Sequence, residues 1–139
     1  MYLPFAPLSL ALLLAACASA PGARIQEPAP ADGTVVLAIG KPQRAPGTDL
    51  TVTFEAVVAD SRCPTGVQCV WAGEVAVRIR LAAPNMAPAT ATLHSNLETA
   101  KETTYAAWKL SIQDVTPYPT ATGGVRPEDY RLTLLIARK

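Results

Sequence analysis

The stretch "DSRCPTGVQCVWAGEV", residues 60–75, holds two of the three cysteines and one of the two tryptophans of the chain. Three chemistries are open to such a cluster. A redox pair takes the form C-x-x-C at the start of a helix, whereas Cys63 and Cys69 enclose Pro64 and Gly66 in a C-x5-C loop. A metal site needs two further soft or imidazole ligands, and His94 is the single histidine. A structural disulfide needs nothing more, and on the chain-entropy model a loop this short is stabilised by roughly 2 kcal/mol. The expectation is a Cys63–Cys69 bridge, with no metal and no cofactor.

Nucleophilic catalysis would have to use His94 as base. Alternation groups His94 with Thr90 and Thr92, opposite Ala91 and Leu93, as an exposed strand residue, and Ser95 points to the other face. No spacing ties Ser61, Ser111 or Asp114 to His94. Paired carboxylates could serve as acid and base, but Asp60, Glu74, Glu98, Glu102 and Asp114 sit in separate segments. No catalytic residues are predicted. Trp71 shares the parity of Val75 and Val77, which predicts packing in the core beside the bridge. The alternative is an exposed anchor, with Asp60, Ser61, Arg62 and Trp71 as a candidate binding surface.

The segments that must position these residues have a period of two. In "DLTVTFEAVVAD", Leu50, Val52, Phe54, Ala56 and Val58 fall on one face with Thr51, Thr53 and Glu55 on the other; Val75, Val77, Ile79 and Leu81 share a face opposite Glu74, Ala76, Arg78 and Arg80 in "EVAVRIRLA", and Tyr130, Leu132, Leu134 and Ile136 share one in "DYRLTLLIARK". Weaker strand patterns cover 34–40, 89–95 and 105–115. In the last of these, parity shifts after Ile112, as at a bulge. Gly- and Pro-rich turns separate the strands and no apolar stripe of helical period is sustained, though "NLETAKETTYAAW" could hold one helical turn. Residues 34–139 are expected to form an all-β, antiparallel, immunoglobulin-like β-sandwich of six to seven strands, with a small β-barrel as the alternative.

Upstream, "LSLALLLAA" (8–16) is far shorter than the roughly 20 apolar residues of a membrane-spanning helix and reads as the apolar core of a signal peptide, residues 1–16. Leu14, Ala15 and Ala16 before Cys17 resemble the lipobox of bacterial lipoproteins, although "MYLPFAP" lacks the usual basic residue. The resemblance implies cleavage before Cys17, acylation of that cysteine, and, with no Asp following it, an outer-membrane anchor facing the periplasm. Residues 17–33, lipidated Cys17 and an Ala/Pro/Gly-rich stretch, then form a tether reaching on the order of 50 Å at about 3.1 Å per residue. A cell envelope is an oxidising place in which the Cys63–Cys69 bridge would persist.

The pattern Asp60-Ser61-Arg62-Cys63-Pro64, four variable residues, then Cys69-x-Trp71-Ala72-Gly73 is similar to a signature of small bacterial lipoproteins and secreted proteins, as is "LSIQDVTPYP" further on. That resemblance implies an envelope protein and carries no activity with it. The net charge of +1 comes without a Lys/Arg cluster, which argues against a nucleic-acid partner. The expected function is therefore that of a non-enzymatic, lipid-anchored lipoprotein that binds an envelope protein or polymer. The alternative is an inhibitor of an envelope or extracellular hydrolase, or a small-molecule binder.

Overall fold

A computed structural model describes residues 33–96 and 100–139. The expected signal peptide, Cys17 and the tether before Gly33 lie outside the described residues. The described residues form eight strands: β1 (Thr34–Ala38), β2 (Pro42–Arg44), β3 (Thr51–Asp60), β4 (Val75–Ala82), β5 (Ala89–His94), β6 (Glu102–Tyr105), β7 (Trp108–Thr116) and β8 (Arg131–Arg138). One sheet has the order β1-β8-β7-β6 and the other β2-β3-β4-β5. All strand pairs within them are antiparallel. The two sheets are not closed on one another, so the sandwich holds and the barrel does not.

The core fills the space between the sheets. Val52 and Phe54 of β3, Val75, Val77, Ile79 and Leu81 of β4, and Leu93 of β5 face Leu110, Ile112 and Val115 of β7 and Leu132, Leu134 and Ile136 of β8. The three segments with the clearest alternation thus supply the central strands. Two strands exceed the six read from pattern. β2 is three residues long and wholly exposed; β6, "ETTY", buries only Tyr105. Neither has an apolar face to betray it, because both lie at sheet edges. Gly40, with φ +73°, lets the chain leave β1 and cross to the other sheet.

Parity fails in two strands, and bulges account for both failures. In β7 the register shifts between Ile112 and Asp114, which keeps Ile112 and Val115 on the same buried face. In β3 it shifts between Phe54 and Ala56 and again between Val57 and Ala59. Uninterrupted alternation would bury Val58. Instead Val57 packs on the core and Val58 is 49 % exposed.

The two ends of the sandwich differ in what they carry. Thr34 pairs with Leu135 and Ala38 with Arg131, so the chain enters beside the C-terminal end of β8. Asp60 pairs with Val75, while Thr51 pairs with Ala82. The β3–β4 connection therefore lies at the end far from Gly33, together with the β7–β8 connection.

The β3 register is testable by truncation. Val57→Ala should destabilise the protein by ~1 kcal/mol through lost burial, and Val58→Ala by no more than about 0.5 kcal/mol, read as urea-denaturation midpoints. The reverse order would mean unbroken alternation.

Candidate functional site

The far end is built on the continuation of the β3–β4 hairpin beyond its strands. The Ser61 N–H donates to Glu74 O at 2.8 Å and the Cys63 N–H to Ala72 O at 2.9 Å. The Ser61 hydroxyl strengthens this ladder, donating to Glu74 O and accepting the Glu74 N–H, both at 3.1 Å. Gly73 sits inside the narrowing hairpin with φ +67°. A Cβ there would stand 1.8 Å from Ser61 O, so only glycine fits. Beyond it Cys63 and Cys69 form a disulfide with their Cα atoms 5.9 Å apart. The Thr65 N–H donates to Pro119 O at 2.9 Å, which docks the closed loop on the β7–β8 connection.

Arg62 does not join a surface. Its side chain is 4 % exposed, and among the described residues it is the buried charged one. The ε N–H donates to Asp60 Oδ1 at 2.9 Å and Nη2 donates to Asp60 Oδ2 at 2.6 Å, a two-pronged ion pair. The same guanidinium crosses to the other sheet, where Nη1 donates to Val115 O and Nη2 to Pro117 O at 3.0 Å. It also lies over the Tyr118 ring, 4.3 Å from the centroid. Asp60 reaches across as well, accepting the Tyr130 hydroxyl at 2.9 Å. Of the four residues expected to form a binding surface, Asp60 and Arg62 thus hold the sheets together and Ser61 holds the hairpin.

Burial alone would raise the Asp60 carboxyl. Hydrogen bonds from the Arg62 side chain, the Arg62 N–H and the Tyr130 hydroxyl, with the charge of Arg62, outweigh it and hold the group below its ordinary value of 3.8. Burial likewise opposes the charge on Arg62, and the Asp60 carboxylate reverses that, raising its pKa. Tyr130 is raised above 10.0, first by burial and then by its bond to Asp60.

Trp71 corrects the expectation of core packing, being 81 % exposed. The parity that would turn it inward is interrupted at Gly73, whose left-handed backbone separates the loop from β4. Val70 beside it is 90 % exposed and Tyr118 46 %. No Asp, Glu, Lys or Arg occurs in residues 63–73 or 115–125, the two segments that meet here. Tyr118 and Tyr130 were not singled out by the sequence as partners of Asp60 and Arg62. The "PYP" of the second signature was the available pointer to Tyr118.

His94 lies on the face opposite buried Leu93 and its Nδ1 is 3.2 Å from Glu74 Oε1. Ser95 accepts the Val75 N–H through Oγ at 3.0 Å. Among the described residues no three His, Cys, Asp or Glu side chains stand close enough to hold a metal ion. No protein-family model, curated protein or solved structure matches the chain.

Two predictions follow from this geometry. Gly73→Ala should lower the urea midpoint well beyond what Gly66→Ala does: both glycines have left-handed backbone, which costs about 1–3 kcal/mol in either variant, but a Cβ at Gly73 meets Ser61 O at 1.8 Å whereas one at Gly66 meets nothing within 4 Å. The second concerns pH. Because the folded value of Asp60 is depressed, its contribution is present in full above the unfolded value of 3.8 and is lost as pH falls through the lower folded value. Stability measured from pH 6 downward should therefore fall more gently in Asp60→Asn, whose starting stability is lower, than in the wild type; parallel curves would contradict the assignment.

Proposed function

We propose that the protein is a lipid-anchored, non-enzymatic binding module of the bacterial cell envelope, acting through the end of the sandwich opposite the tether. In this reading residues 1–16 are removed, Cys17 is acylated and holds the chain at the outer membrane facing the periplasm, and the tether gives the domain reach. The resemblance of the "LAAC" and "DSRCP" segments to bacterial lipoproteins supports the anchor.

The observation that carries the binding role is Trp71 at 81 % exposure immediately after a disulfide-closed loop. A large aromatic side chain left in water beside a braced loop is the kind of residue that dominates interfaces, since its burial on a partner contributes area at little cost in ordering. The uncharged composition of residues 63–73 fits a partner surface or polymer without strong charge. A second reading, an inhibitor of an envelope or extracellular hydrolase, uses the same loop. Its support is that Val70 and Trp71 stand forward directly after a short closed ring, as an inserting wedge would.

Photo-crosslinking in intact cells tests the binding end. A probe at Gln68 should give a discrete adduct and one at Met86, in the β4–β5 turn at the tether end, should not. Trp71→Ala should weaken the Gln68 adduct by about tenfold or more, while Cys17→Ser should release the protein from the membrane fraction. Equal adducts from both ends, or indifference to Trp71→Ala, would overturn the reading.

A further inference from the structure

Beside the stapled loop, between the ends of the two sheets, lies a cleft of about 250 Å³. Its wall includes Arg62, Ser95, Asn96, Gln113, Asp114 and Tyr118, with Ala72 and Gly73 on the rim directly after exposed Trp71. We propose that this cleft binds one uncharged sugar unit of a polysaccharide, an inference that rests on the far end being the binding end.

Size sets the first limit. The cleft is smaller than the roughly 300–1,000 Å³ of drug-sized ligand pockets, so it suits one small ring. Charge sets the second. Four of the Arg62 N–H groups already serve Asp60, Val115 O and Pro117 O. Its charge is compensated by Asp60 at 2.6 Å. Asp114 adds a carboxylate on the wall, which disfavours an anion and offers an acceptor to hydroxyl donors. A ligand without negative charge remains, and the polar groups choose among such ligands.

The polar groups set the third. Asp114 accepts the Val115 N–H through Oδ1 at 2.8 Å, and Oδ2 is available to a hydroxyl. The Asn96 and Gln113 amides offer both donors and acceptors, and the Ser95 hydroxyl, whose oxygen accepts the Val75 N–H, still has a proton to donate. Tyr118 has Arg62 against its ring and is 46 % exposed, which leaves ring surface for the C–H face of a sugar. Planar acceptors and donors set around an aromatic ring, with one carboxylate able to accept from hydroxyls, match a polyhydroxylated ring better than an anion or an amino acid. An amino acid would bring two charges to a wall that has no free pair to meet them.

The test is calorimetric titration of the full-length protein with tri-N-acetylchitotriose, cellotriose and, as an acidic control, trigalacturonate. Saturable binding of a neutral trimer is expected, with binding of the first alone assigning the acetamido group as part of what is recognised. Asp114→Asn, which keeps the acceptor for Val115, should weaken it about fivefold to tenfold by removing a charge-assisted hydrogen bond. Asn96→Ala should weaken it as well, and Arg44→Ala at the tether end should not. No saturable binding at millimolar neutral sugar, tighter binding of trigalacturonate, or an affinity indifferent to both cleft variants would each overturn the proposal. A null titration beside a Trp71-dependent crosslink would remove the sugar and keep the binding end. Nulls in both would remove the end itself.

Discussion

Two four-stranded sheets packed face to face need something to fix one end when the connections there are long, and in this protein that task falls to the Asp60–Arg62 pair. Asp60 closes β3 in one sheet, and its carboxylate takes the hydroxyl of Tyr130, which leads into β8 of the other. Arg62 donates to the carbonyls of Val115 and Pro117 at the end of β7. Burying an ion pair is expensive unless the remaining donors and acceptors are met. Here both carboxylate oxygens and most of the guanidinium have partners. Lysine could not replace the arginine, because a single ammonium lacks the planar fork that serves a carboxylate and two carbonyls in different directions.

Everything more exposed at this end hangs from that pair. The hairpin narrows from Ser61 and Glu74 to Cys63 and Ala72, and Gly73 is the position where backbone meets backbone too closely for a side chain. The disulfide then closes only the tip. Its role is local, shortening the range over which residues 64–68 can move, while the ion pair sets where the whole loop sits relative to the other sheet. Thr65 bonding to Pro119 O joins the two connections into one surface. The outcome is a rigid base carrying an exposed Trp71, the reverse of the arrangement in which a tryptophan is buried to support a disulfide.

The sandwich was legible because its central strands bury one face each, and burial on one face writes a period of two into the sequence. The same reasoning explains what was not legible. β2 and β6 are edge strands with little to bury, so Pro42–Arg44 reads as a turn, and Glu102–Tyr105 falls between a turn and the weak strand pattern that begins at Tyr105. Glu55 and Val58 are residues inserted by bulges, and an inserted residue reverses every parity after it without changing composition. At the site, Asp60, Ser61 and Arg62 stood out as polar residues beside a staple, but whether polar residues face inward depends on partners more than fifty positions away in Val115, Pro117 and Tyr130. Local pattern contains no trace of such contacts. Trp71 was misplaced because parity was carried through Gly73, whose positive φ breaks it.

This division between buried and exposed parts of one motif bears on function. If the "DSRCP" and "CVWAG" residues were all architectural, the economical structure would bury the tryptophan, which has the largest apolar surface of the set and the most to gain from leaving water. The fold instead assigns the buried position to a charged side chain, which costs desolvation, and leaves the tryptophan outside. Stability alone does not favour that exchange. It is favoured where the exposed aromatic is used, and where the loop beneath must be held by directional bonds that specify one orientation rather than by apolar contact, which tolerates many.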